Sequence, residues 1–308
     1  MSRVVNRREL LGRSVVLLAG ASGSCTATGA AFAQVGAAAP PVSARKMKLG
    51  LVTYNIAPDW DLPTIIDRCR KLKLAAVELR TTHKHGVEPA LSKAERADVR
   101  KRFTDSGVVL CSLGSTCEYH DPDPARLAKQ IEVTKQFIGL AEDLGAKGVK
   151  VRPNGLPKGV PEEKTLDQIG KALATCGQAA SDAGVEIWLE VHGSETSHPP
   201  RIRRILDIAG RPNVGATWNS NGTDLKDGSV KPYFDLLRDK IMSVHINELT
   251  SGYPYRELFG LLNQSGYDRY ALIEAQGFKT RNADPADVMR FLQYYVALWG
   301  ELSKPAQA

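Results

Sequence analysis

Four polar residues close four successive apolar runs in the second half of the chain: Glu190, Asn219, His245 and Glu274. The runs read Glu186-Ile-Trp-Leu-Glu190, Val214-Gly-Ala-Thr-Trp-Asn219, Ile241-Met-Ser-Val-His245 and Tyr270-Ala-Leu-Ile-Glu274. They recur about every 26–29 residues, the length of one strand–helix unit. Strand ends on one rim of a barrel converge, so residues far apart in sequence can share one ion. Three oxygen donors and an imidazole suit a hard-to-borderline divalent cation such as Mn2+, Mg2+ or Co2+.

The elements that must carry these residues follow from periodicity. From Lys48 onward, short runs that are apolar on both faces alternate with amphipathic stretches. Eight strands are expected, over Leu49–Tyr54, Ala75–Leu79, Val108–Leu113, Gly148–Val151, Val185–Glu190, Val214–Trp218, Ile241–His245 and Tyr270–Glu274. Helices are expected over Leu62–Leu72, Pro124–Leu144, Thr165–Ala183, Pro200–Ala209, Tyr233–Leu237, Tyr255–Gln264 and Pro285–Leu302, with Thr165 as a cap. This β-then-α order points to one α/β domain, a closed (β/α)8 TIM barrel over 47–304. A doubly wound open sheet is the alternative, and no Gly-rich fingerprint follows the first strand to support it.

Further polar residues belong to the same rim. His192 lies two residues past Glu190 and so shares its face if the strand continues. Lys150 and Arg152 end strand four and can hold a hydroxyl, carboxylate or enolate oxygen. Glu78 ends strand two, Glu118 and His120 follow strand three, and His83 and His85 sit in a loop. Local hydrogen bonding is the ordinary fate of such residues. Trp218 and Tyr253 offer apolar surfaces on which a sugar can stack, with core packing the commoner outcome.

Trp188-Leu-Glu-Val-His192, Ser243-Val-His-Ile-Asn-Glu248, Leu272-Ile-Glu-Ala-Gln276 and the Trp218-Asn219 pair resemble the xylose isomerase-like TIM-barrel superfamily. That superfamily includes sugar phosphate isomerases and epimerases and the AP-endonuclease 2-like barrels. The resemblance covers nearly all of Met47 to Leu302 and implies Glu190, Asn219, His245 and Glu274 as metal ligands. It further implies Glu190 and Glu274 as the catalytic pair that removes and returns a proton next to a carbonyl. His192, Lys150, Arg152, Glu118 and Trp218 are then expected to contact substrate, a sugar or keto-sugar. The chain departs from the pattern at Asn219, where the family usually has Asp, and at Gly222, where it often has His. One negative charge fewer implies weaker metal binding. A lyase or hydratase acting on 3-keto-glycosides by the same enolate chemistry, and a non-catalytic sugar-binding barrel, are the alternatives.

The N-terminus carries Asn6-Arg7-Arg8-Glu9-Leu10-Leu11, an apolar stretch from Ser14 to Ala21, and Ala31-Phe32-Ala33. This is the pattern of a twin-arginine export signal over 1–33, which implies a periplasmic location, followed by an Ala/Pro-rich linker over 34–46. The apolar stretch is too short and too rich in Gly and Ser for a stable membrane span. Removing the first 33 residues takes away four arginines and one glutamate, which lowers the net charge from +7 to +4. No basic run remains to argue for nucleic acid. Cys69, Cys111, Cys117 and Cys176 form no C-x-x-C pair, and buried free thiols are expected.

Overall fold

The computed structural model describes residues 46–276 and 284–305. The expected export signal, 1–33, and nearly all of the expected linker lie outside the described residues. Eight parallel strands close into a barrel in chain order, with the last paired to the first. They are β1 (Lys48–Val52), β2 (Ala76–Arg80), β3 (Val109–Glu118), β4 (Gly148–Arg152), β5 (Glu186–Glu190), β6 (Val214–Asn219), β7 (Ile241–Ile246) and β8 (Tyr270–Ile273). The helices are α1 (Thr53–Ile56), α2 (Leu62–Lys71), α3 (Lys93–Ser106), α4 (Pro124–Leu144), α5 (Glu162–Asp182), α6 (Pro199–Ala209), α7 (Lys231–Leu237), α8 (Tyr255–Gln264) and α9 (Pro285–Leu302). The closed (β/α)8 barrel is therefore the fold.

Four local expectations are corrected. β1 ends at Val52, and Thr53 and Tyr54 turn into the short α1. β3 runs on to Glu118, with its register against β4 shifted between Gly114 and Glu118. Thr165 does not cap α5, which begins three residues earlier at Glu162; its side chain is buried inside the helix. α3 was not expected because only Val99 and Phe103 of its residues are buried, too few to make a period. A capping box starts it instead: Ser92 Oγ accepts from the Glu95 amide while Glu95 accepts from the Ser92 amide at 2.8 Å. Asp123 and Asp284 cap α4 and α9, each with proline in the first turn.

Two apolar layers hold the fold. The larger lies between the strands and the helices, and it contains Trp218, Phe234, Leu258 and Phe259. The smaller fills the barrel itself with Val52, Ala76, Cys111, Trp188 and Leu272. Trp188 donates its indole N–H to Glu186 at 2.8 Å, and Arg269 grips the same carboxylate at 2.6 and 3.0 Å, which closes the floor. This floor fixes the depth at which the polar rim begins. The indole needs an open place opposite it, and Gly148 supplies one: a Cβ there would stand 2.3 Å from Trp188.

Gly148→Ala should therefore cost about 1–3 kcal/mol of stability through overpacking. Gly139→Ala, in α4 with nothing near its Cβ position, should be neutral or stabilising by up to about 1 kcal/mol. Urea unfolding of both variants reads the contrast, and equal effects would contradict this account of the barrel interior.

Candidate active site at the barrel rim

Side chains two residues apart on a strand face the same way. At the C-terminal rim this rule builds two tiers. The lower holds Glu78, Lys150, Glu190, Asn219, His245 and Glu274. The upper, two residues further along each chain segment, holds Arg80, Arg152, His192, Asn221, Asn247 and Gln276. Together with Tyr54 and Asn55, the upper tier and the exposed part of the lower one line a polar pocket of about 170 Å3.

The lower tier is a dense charge cluster shut off from water. His245 is fully buried, with Nδ1 3.2 Å from Glu274 and 3.7 Å from Glu190, and Nε2 3.5 Å from Glu78. Burial works against its protonation, but Glu274, Glu78 and Glu190 outweigh burial and hold it well above the ordinary imidazole range. Glu190 is desolvated too, yet Lys150 Nζ at 2.6 Å and the nearby His245 keep it well below the usual carboxylate range. Asn219 donates Nδ2 to Glu190 Oε1 at 3.1 Å. An ionised carboxylate only accepts, so this orientation leaves Asn219 Oδ1 buried without a partner. Glu78 accepts from Ser112 Oγ at 2.7 Å, and burial of its carboxylate is offset by His245 and Lys150, which lower its pKa.

These orphaned atoms are what a cation would satisfy. Glu190, His245 and Glu274 each offer a ligand atom, and the three atoms lie within 4.8 Å of one another. Asn219 Oδ1 has no hydrogen-bond partner, and His245 Nδ1 faces Glu274 and Glu190 on the same side. Two carboxylates, an amide oxygen and an imidazole fit a divalent ion. Glu78 stands on the far side of the His245 ring, where a carboxylate sets the tautomer and orientation of a metal-binding histidine.

In the upper tier a chain of hydrogen bonds fixes His192. Glu118 is gripped by Arg152 and accepts from Asn154 Nδ2 at 2.7 Å. The Asn154 oxygen is thereby turned toward His192 Nδ1 at 3.0 Å, so that nitrogen carries the proton. Burial lowers the His192 pKa, which leaves a neutral ring whose Nε2 is a hydrogen-bond acceptor. Gly193 lets the chain pass at this point: its φ is +93°, and a Cβ would stand 2.6 Å from Asn154 Cα.

The structure thus brings together Glu190, Asn219, His245 and Glu274, with Lys150, Arg152 and His192 on the same pocket. Glu118 stands behind Arg152 as a support and does not line the pocket. Trp218 is a correction: it precedes inward-facing Asn219 and therefore faces outward, fully buried 6.2 Å from Phe234, with its N–H on Tyr253. It offers no surface to a sugar. His83 and His85 make local contacts, with Thr53 and with the Arg80 carbonyl and Val87 amide. Arg80, Asn221, Asn247 and Gln276 were missed. The i, i+2 step from Glu78, Asn219, His245 and Glu274 is the signal that finds them.

A family model described as xylose isomerase-like TIM barrel matches residues 66–295. No curated protein matches the sequence. Among solved structures, D-psicose 3-epimerase from Clostridium cellulolyticum H10 superposes with a TM-score of 0.72 at 14% identity, over 84% of this chain and 100% of that one. The E. coli 3-keto-D-glucoside 4-epimerase gives 0.66 at 15%, over 82% and 99%. The IolI protein, solved with a zinc atom, gives 0.66 at 16%, over 85% and 100%. At these identities the likeness is one of fold.

Lys150→Met removes the cation that compensates Glu190 inside the barrel. In chelator-treated protein it should cost about 3–5 kcal/mol, the usual result of orphaning a buried charge. Added Mn2+ should return part of that loss by binding the native state. Denaturant unfolding with and without the ion measures both, and a variant as stable as the parent would contradict the arrangement.

Proposed function

Because the chain belongs to the xylose isomerase-like TIM-barrel family, we propose that it is a metal-dependent sugar isomerase or epimerase that moves a proton on carbon next to a carbonyl. The observation that carries this reading is the convergence of Glu190, His245 and Glu274 within 4.8 Å at the floor of a polar pocket. Sugar epimerases among the structures that share the fold support it.

Glu190, His245, Glu274 and the Asn219 oxygen would hold the ion. When bound, a divalent cation polarises a substrate carbonyl and so makes the neighbouring C–H more acidic. The chain's own residues do the proton work. Glu190 on β5 and Glu274 after β8 flank the pocket from different parts of the ring, so one carboxylate can take the proton and the other return it on the opposite face. Their surroundings differ: Glu190 is bound by Lys150 and Asn219, and Glu274 stands 3.2 Å from His245 Nδ1. Lys150 Nζ, 2.6 Å from Glu190, holds that carboxylate in position. His192 Nε2 accepts a substrate hydroxyl and sets the sugar's rotation in the pocket.

A second reading, elimination from or hydration of 3-keto-glycosides through the same enolate chemistry, is favoured by Lys150, a cationic proton donor on the pocket wall suited to a departing oxygen. The paired arginines and small-residue motif of the N-terminus support export to the periplasm by the twin-arginine route.

Incubation with keto-sugars in D2O should place deuterium on the carbon beside the carbonyl, with ultraviolet absorbance of an unsaturated product marking elimination. Glu190→Gln and Glu274→Gln should each slow exchange by about 10²–10⁴-fold; full exchange in both would remove the acid/base pair. Asn219→Asp adds a charged ligand and should tighten Mn2+ binding by calorimetry. Unchanged or weaker binding would take Asn219 out of the ligand set.

A further inference from the structure

We propose that Arg80, backed by Arg152, is a carboxylate-binding subsite, so that the substrate is a keto-sugar acid whose acid group lies away from the reacting carbonyl. This rests on the isomerase reading and narrows its substrate class.

Arg80 is placed as a recognition residue is. Its amide donates to Thr53 Oγ1 at 2.9 Å and its carbonyl accepts from His85 Nε2 at 2.9 Å, so the backbone is held on both sides. The guanidinium lies 5.4 Å from the centre of the Tyr54 ring and spends one N–H, at 3.0 Å, on the Thr81 carbonyl. Arg80 lines the pocket. Among the described residues no carboxylate lies within ion-pair distance of it. Burial and the nearby Arg152 charge both press against its ionised form, a cost that a bound anion would relieve. Arg152 is satisfied by Glu118 on one side, but its Nε is buried with no partner.

Charge balance says which anion. Among the described residues Lys150 is paired with Glu190 and Arg152 with Glu118, which leaves Arg80 as the one of these three cations with no carboxylate of its own. A carboxylate carries one negative charge and matches the guanidinium fork with two parallel hydrogen bonds. A phosphate monoester carries nearly two.

D-fructuronate and D-fructose differ only in whether carbon 6 is a carboxylate or a hydroxymethyl group, and calorimetry with chelator-treated protein compares them without metal ligation by the acid. Fructuronate should bind about tenfold or more tightly, the margin should narrow as salt rises, and Arg80→Gln should abolish that margin. Equal affinities in the parent protein overturn the proposal, as does a preference that survives Arg80→Gln or appears only with metal present. Tighter binding of fructose 6-phosphate than of fructuronate overturns the choice of a carboxylate. Deuterium exchange into fructose by the parent protein is read separately: exchange without acid preference sinks the subsite and leaves the isomerase reading standing.

Discussion

Three carboxylates crowd around one imidazole at the C-terminal rim of this barrel, and the rest of the rim is organised by the need to compensate them. Glu78, Glu190 and Glu274 all lie within 4 Å of His245 in a space almost without solvent. Like charges at such distances in a medium of low dielectric are costly. The chain answers with Lys150 on Glu190, with an amide rather than a third ligating carboxylate at position 219, and with the tendency of His245 to take a proton. A divalent cation would answer the same need more fully, because it would also take up the amide oxygen of Asn219 and one ring nitrogen of His245. Affinity for an ion is on this view the other face of electrostatic stress in the free protein.

The barrel makes that crowding possible. Closing eight parallel strands turns their ends inward, and the Trp188 floor, pinned by Glu186 and Arg269, stops the polar rim from sinking into the apolar interior. Alternation of side chains then stacks a second polar ring on the first. The lower ring is suited to holding an ion and moving protons; the upper is suited to recognising what is brought to it. His192, Arg80 and Arg152 are each steadied by neighbours that do not touch the pocket, through Asn154, through Thr53 and His85, and through Glu118. Such support is what places a functional group to within a fraction of an ångström.

Much of this was legible in the sequence. The apolar runs ending in Glu190, Asn219, His245 and Glu274 give the strands and the meeting of those four side chains, since a buried parallel strand is a short apolar run and its first polar residue marks the rim. The errors have two sources, a helix without an apolar period and strand alternation not followed to its end. α3 is a charged surface helix with two buried residues, held by its cap rather than by an apolar stripe. Trp218 was misread although the sequence already decided it: if Asn219 faces the barrel axis, its neighbour must face the helices. Arg80 was lost because β2 was ended one residue early, at Leu79. The links from Glu118 to His192 and from Glu78 to His245 join residues 74 and 167 positions apart in the chain, and only the folded ring brings them together.

The central claim is that one cation is gripped jointly by side chains from the last four strands. Crystals soaked in Mn2+ and measured at an absorption edge of manganese test it most directly. The account predicts one strong anomalous peak on the barrel axis, with oxygens of Glu190 and Glu274, a nitrogen of His245 and the Asn219 amide oxygen within about 2.0–2.6 Å of it. A peak elsewhere, or no peak with Lys150 still closed on Glu190 at saturating ion, would contradict it.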